Sequence, residues 1–181
     1  MDSPANTAIL AHLVDDRRRH HPAPDLLTFV DVTADGRYAT ETRSYEALWA
    51  NGQRIAAGLA AEGLAAGDAF AIVLQNHPEF VDAMVGSSIA GTVFVPIDPR
   101  TRGKKLAYML SFAGCRGVVV GDYALPQIVE VLAECPTLEW AWVVGGEGAA
   151  SGPLRLRAMR DVLAAYVAER PVAVRDPDTP M

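Results

Sequence analysis

AFAIVLQNHPEFVDAMVGSSIAGTVFVPI, residues 69–97, is the stretch on which the fold turns. Its first six residues form a continuous apolar run, which suits a strand covered on both faces; a half-exposed strand would alternate instead. Phe80, Met84, Ser87 and Ile89 then recur near helical spacing. Asn76 or His77 can cap this helix, Pro78 is tolerated in its first turn, where no N–H is required, and Gly91 supplies a left-handed exit. TVFVPI, residues 92–97, reads as a second strand. A strand, a helix and a strand in immediate succession imply parallel pairing through a right-handed crossover.

The alternation continues downstream. Thr101 is expected to cap a helix whose Leu106, Met109, Leu110 and Ala113 form an apolar stripe ending at Gly114. GVVVG, residues 117–121, is a third strand, followed by a helix carrying Ile128, Val131 and Leu132. A fourth strand falls at Trp140 to Val144. GGEGAASGP, residues 145–153, is expected to be a mobile loop, and Leu156 to Glu169 a last amphipathic helix.

Upstream, Leu27 to Val32 and Tyr38 to Arg43 flank Asp35-Gly36, a hairpin turn signal. Ser44 then caps a helix with Leu48, Ile55 and Leu59 on one face, closing near Gly63. The expected class is α/β, a layered and mostly parallel sheet flanked by helices.

With 181 residues, half of them apolar, the chain can bury a core of ordinary domain size. The formal net charge of -6 argues against a general nucleic-acid binder, which needs a basic face to neutralise phosphates. No apolar run reaches membrane-spanning length, and MDSPANTAILAHLVDDRRRHH fits neither a signal nor a transit peptide, so a cytoplasmic location is expected. Cys115 and Cys135 show no metal-type spacing and are expected to be reduced, partly buried thiols.

Several motifs fail when their spacing is checked. GSSIAG, residues 86–91, has the glycines of a phosphate loop, but Thr92 and Val93 stand where Lys and a hydroxyl residue are required, so helix packing explains it. GGEG follows a strand without opening a helix. His12, His20, His21 and His77 show no metal spacing, and Asp15, Asp16, Glu130 and Glu134 belong on solvated helix faces. No catalytic constellation emerges from the residues.

One cluster survives. PIDPRTRGKKL places Arg100, Arg102, Lys104 and Lys105 together, just beyond the carboxyl end of a strand, where open α/β sheets bind ligands. Cations at a helix N-terminus oppose the helix dipole, and an anionic partner would relieve that conflict. A solvated basic loop with no partner is the alternative reading. Asp98 in the same turn is expected to make an Asx-type turn ahead of Pro99 rather than to act in catalysis.

Three stretches together resemble the first part of the AMP-forming acyl-CoA ligases, within the adenylate-forming synthetase superfamily. They are RSYEALWANGQRIAAGLAAEGLAAGDAFAIVLQNHPEF (residues 43–80), SSIAGTVFVPIDPRTRGKKLAYML (residues 87–110) and GVVVG. The resemblance runs from about Thr28 to the end of the chain. It implies that residues 1–181 are the N-terminal part of an AMP-binding domain, the first subdomain of its large N-terminal domain. It also implies a reaction in two steps: ATP and a small-molecule carboxylic acid give an acyl adenylate and pyrophosphate, then coenzyme A displaces AMP.

ATP, Mg²⁺ and coenzyme A are the cofactors so implied for the complete enzyme. In the family, the phosphates are gripped by a Ser/Thr/Gly-rich loop ending in Lys-Gly. That loop usually follows a polar connector resembling RDPDTPM, so residues 171–181 are expected to lead to it. The isolated chain would then be inactive, would pack against the remainder of the same enzyme, and would self-associate through the face left uncovered. Members often carry an acid where Lys104 or Lys105 stands, and in some relatives basic residues of this region approach the phosphate end of coenzyme A. The resemblance therefore directs that role to Arg100 and Arg102. An adenylation domain that loads a carrier protein, and a non-catalytic α/β binding module, are the competing readings.

Overall fold

The computed structural model describes residues 9–22, 25–146, 153–165 and 168–173. Its centre is a sheet of five parallel strands in the order β4-β3-β5-β6-β7: β3 (Ala69–Val73), β4 (Val93–Pro96), β5 (Gly117–Gly121), β6 (Trp140–Val144) and β7 (Arg155–Ala158). Every residue of β3, β5 and β6 is buried, as expected for strands that read as unbroken apolar runs.

Helices cover both faces. Below lie α4 (Gly103–Phe112) and α5 (Leu125–Val131), whose Leu106, Leu110, Ile128 and Val131 pack with Ala71, Val118 and Val120. Above lie α2 (Tyr45–Ala61), α3 (Pro78–Ala90) and α6 (Met159–Leu163), whose Ile55, Leu59 and Val162 meet the alternate strand residues Phe70, Ile72, Val119 and Trp142. The period of two along each strand thus divides the core into two layers. An outer helix, α1 (Leu10–His20), buries Ala11 and Val14 against α2 and α3.

Close helix approach rests on two glycines. A Cβ at Gly86 would lie 2.4 Å from Ile55 Cγ2, and one at Gly52 would lie 2.7 Å from Val85 Cγ1. The GSSIAG stretch is therefore a packing surface between α2 and α3. Ser44 caps α2 through its hydroxyl, which accepts the Ala47 N–H at 3.1 Å, and Gly91 ends α3 at φ 70°. The hairpin of β1 (Leu27–Val32) and β2 (Tyr38–Arg43) turns at Gly36 with φ 77°.

Three expectations are corrected, and one, the cap at His77, is met in position but not by a side-chain bond. Leu156 to Glu169 is not one helix: RLRA forms β7 on the free edge of β6, and among the described residues of that span only Met159–Leu163 is helical. Four residues of period two are too few to stand out against the helical pattern after them, and the open edge of β6 decides the matter. Thr101 is not the cap of α4, because Arg102 holds that position and the Thr101 N–H is bonded to the Asp98 carbonyl at 2.8 Å. His77 is the N-cap of α3 without a side-chain bond to its amides. Cys115 and Cys135 are free and wholly buried rather than partly so, and burial pushes the Cys115 thiol up to about 12.

Residues 147–152 of the glycine-rich loop and 174–181 of the connector lie outside the described residues. The start of the connector is docked: the Ala173 N–H donates to the Ile89 carbonyl at 2.8 Å, and Gln53 holds both backbone groups of Arg170.

Candidate functional site

After β3 the chain crosses to β4 on one side, then returns through α4 to β5 on the other. The strand order therefore reverses between β3 and β5. At such a point the connections leave in opposite directions and a crevice opens beyond the carboxyl ends of the strands. Two segments meet there, Leu74–His77 after β3 and Asp122–Ala124 after β5.

They are tied by one bond, in which the Gln75 N–H donates to Tyr123 Oη at 2.7 Å. The Tyr123 ring also stacks on His77, with centroids 5.9 Å apart and planes 17° apart. Gly121 makes room for this ring, since a Cβ there would lie 2.4 Å from it. Burial raises the Tyr123 phenol above its usual range, so the group is neutral near pH 7. With its oxygen already accepting, the phenolic proton remains available to a ligand.

Two clefts adjoin this link and share Gln75. One of about 640 Å³ lies between His77, Tyr123 and the hairpin, with Asp31 and Glu41 on its far wall. The other, of about 500 Å³, is bounded by Leu74, Phe80, Ile97, Pro99 and Arg100.

Arg100 reaches the lip of the smaller cleft, but its charge is compensated: Nη2 lies 2.7 Å and Nε 3.1 Å from the Asp98 carboxylate. The Asx turn expected at Asp98 is present, with Oδ1 accepting the Arg100 N–H at 2.8 Å. Hydrogen bonds from the Arg100 side chain and backbone hold the Asp98 carboxyl down to about 2. Arg102 lies outside both clefts, exposed at the start of α4, and Lys104 and Lys105 are exposed on its first turn. The basic cluster is thus divided into one neutralised guanidinium at a cleft and three outward cations. Buried Gln127 lies against the loop between them; with its amide turned so that the nitrogen faces the loop, it donates to the Pro99 and Thr101 carbonyls at 2.9 and 3.1 Å.

The hairpin wall is set by a buried ion pair that sequence reasoning missed. Arg43, at the end of β2, directs Nε to Asp82 Oδ2 on α3 at 3.1 Å and Nη1 to Glu41 at 2.6 Å. Asn51 of α2 donates to the same Asp82 oxygen at 3.1 Å. Burial dominates over these partners and pushes the Asp82 carboxyl up to about 6. The available signal was an acid inside an otherwise apolar helical stripe, four residues from Pro78. Gln75, His77 and Tyr123 carry no signal beyond their places just after the two apolar runs that become β3 and β5.

Among the described residues, no three His, Cys, Asp or Glu side chains converge in a way that could hold a metal ion. Nor does any lysine line either cleft. The arrangement offers neutral donors, aromatic faces, the Asp31 and Glu41 carboxylates and one compensated cation.

A family model described as "AMP-binding enzyme" matches residues 17–180. The long-chain-fatty-acid–CoA ligase FadD13 of Mycobacterium tuberculosis is 31% identical over 144 residues, 78% of this chain and 27% of its own length. The fatty acid–[acyl-carrier-protein] ligase ScoC of Streptomyces coeruleorubidus is 30% identical over 133 residues, 66% of this chain and 24% of its own length. The chain thus spans about a quarter of each of these relatives. Among solved structures, the adenylation domain of the carboxylate reductase from Mycobacterium chelonae shares the fold, with a TM-score of 0.75 at 18% identity. That match covers 98% of this chain and 32% of that one.

Proposed function

The chain belongs to the AMP-binding enzyme family, and on that premise we propose that it is the N-terminal part of an ATP-dependent carboxylate–CoA ligase. The observation that carries the reading is the family match over residues 17–180, joined to the similarity to a long-chain-fatty-acid–CoA ligase across 78% of the chain. The substrate class is a carboxylic acid. Its carboxylate oxygen attacks the α-phosphorus of ATP, the bond to the bridging oxygen breaks, and pyrophosphate leaves. The thiol of coenzyme A then attacks the acyl carbon and AMP leaves.

The part assigned to this chain is a rigid wall. Parallel strands end on a crevice, Tyr123 and Gln75 fix its floor, and the Arg43–Asp82 pair fixes its side. Such a wall contributes by positioning. The donors that would absorb charge on the triphosphate, and the residues that would hold Mg²⁺ there, belong to other parts of the complete enzyme. Arg100 and Arg102 are the candidates of this chain for the phosphate end of coenzyme A. Arg100 exchanges Asp98 for that phosphate, and Arg102 meets it with a side chain that has no ionic partner among the described residues.

The test is carboxylate-dependent exchange of pyrophosphate into ATP. The isolated chain is expected to show none, while the complete enzyme shows it; robust exchange by residues 1–181 alone would overturn the division of labour. A carrier-protein acceptor is the second reading, favoured by the similarity to ScoC. Supplying the complete enzyme with coenzyme A or with a carrier protein, each as sole acceptor, separates the two.

A further inference from the structure

Helix α4 satisfies its apolar demand on its inner side, where Leu106, Ala107 and Leu110 are buried beneath the sheet. It nevertheless carries two large aromatic rings outward. Tyr108 is 63% exposed and Phe112 79% exposed. The rings stack on each other with centroids 5.4 Å apart and planes 22° apart. Lys104, Tyr108 and Phe112 succeed one another at intervals of four, a single line along the outer surface of the helix. Arg102 and Lys105 flank the start of that line.

The charge of this face is not cancelled locally. Among the described residues, the side chains of Arg102, Lys104 and Lys105 make no hydrogen bond or ion pair, in contrast to that of Arg100, which Asp98 holds. The first turn contains no acid, so the positive end of the helix adds to the three cations. The neighbouring acids stand at the margins. Asp98 is engaged by Arg100 and feels Lys105 at longer range. Glu134 lies by the far end, its backbone carbonyl accepting the Ser111 hydroxyl at 2.9 Å.

We propose that this face of α4 is a contact surface for an anionic lipid bilayer. Phe112 and Tyr108 enter the interfacial layer, where aromatic side chains are favoured, and Arg102, Lys104 and Lys105 meet the phosphate headgroups. A protein partner would need pockets shaped to two protruding rings, whereas a fluid interface adapts to them. Against a whole-chain charge of -6, approach with this face first is attractive, so the contact also orients the molecule. No helix among the described residues is long and apolar enough to cross a membrane, so the contact is peripheral. The inference is independent of which acid the enzyme uses; it shares Arg102 with the coenzyme A reading and rests otherwise on Lys104, Lys105, Tyr108 and Phe112.

Co-sedimentation of the full chain with vesicles tests it, comparing phosphatidylcholine alone with phosphatidylcholine mixed with phosphatidylglycerol. Binding is expected only with the anionic lipid and should weaken as salt rises. Replacing Lys104→Glu and Lys105→Glu should lower partitioning at least about fivefold per position. An acid in the first turn suits the helix dipole, so that loss would not reflect unfolding. Tyr108→Ser with Phe112→Ser should remove the binding that persists at high salt. Absence of vesicle binding, equal binding to both compositions, or indifference to both pairs of substitutions would overturn the proposal. So would competition by inorganic phosphate with no need for the rings, which indicates a phosphate site. Self-association lost in the same variants without vesicle binding would assign the face to a second copy of the chain instead.

Discussion

Arg43 Nε lies 3.1 Å from Asp82 Oδ2, and this pair joins the end of the hairpin to the middle of α3 across 39 residues of sequence. Asp82 is completely buried and Arg43 is 8% exposed. Because α3 begins at the crevice and the hairpin forms its far wall, the pair sets how the two stand to each other.

Removing Asp82 leaves the buried Arg43 guanidinium with Glu41 as its remaining ionic partner. Asp82→Ala should therefore destabilise the chain by about 3–5 kcal/mol, the range for breaking a buried pair. Urea unfolding of the two proteins measures it. A loss below about 1 kcal/mol would mean that Arg43 finds water when Asp82 is gone.

The same carboxyl gives a pH signature. Its value rises from 3.8 to about 6, driven by burial and opposed by Arg43 and Asn51, with Glu79 adding to the rise. A raised folded-state value means that the folded chain holds the proton more tightly. The contribution is therefore fully present below pH 3.8 and is lost as pH rises through about 6. The difference in Tm between the unaltered chain and Asp82→Asn should move in favour of the unaltered chain as pH falls from about 7 towards about 4. Thermal melts across that interval report it, and a constant difference would exclude Asp82 as the titrating group.

Gly86 is a packing residue rather than a phosphate-loop glycine. Gly86→Ala places a methyl 2.4 Å from Ile55 Cγ2, so α2 and α3 must part. A cost of about 1–3 kcal/mol is expected from such overpacking. Gly103→Ala supplies the contrast, because its Cβ meets nothing within 4 Å and only the backbone conformation at φ +52° resists the change. Combining Gly86→Ala with Ile55→Ala, which deletes Cγ2, should cost less than the sum of the two single changes, whereas Gly103→Ala and Ile55→Ala should add.

In the complete enzyme, Arg100→Glu with Arg102→Glu should weaken thioester formation while sparing adenylate formation. Assaying the two half-reactions separately decides the matter; equal loss in both would place the arginines elsewhere in the cycle. Since Arg100 is already paired, Asp98→Asn should act in the opposite sense, freeing the guanidinium for a phosphate.

Much of the fold was legible because its signals are local. β3 and β5 announced themselves as short apolar runs and β6 by the alternation of Trp140, Trp142 and Val144 with Ala141 and Val143, while Asp35-Gly36 marked the hairpin, Ser44 the start of α2 and Gly91 the end of α3. Each depends on a window of a few residues, within which turn chemistry and periodicity act directly. β7 was missed because RLRA becomes a strand only when the edge of β6 stands beside it. The family resemblance was likewise carried by contiguous motifs, and the match over residues 17–180 bears it out.

The sequence by itself determined the α/β class, the parallel strands and the membership of a family, because these arise from covalent neighbours and the periods they impose. Tertiary structure alone decided the strand order, and with it the crevice between β3 and β5 where Gln75 meets Tyr123. It also decided that Arg100 is spoken for by Asp98 and that Arg43 and Asp82 share a burial neither could bear alone. Charge and burial are properties of the surroundings of a group in space, and for these residues the chain supplies those surroundings from segments distant along it.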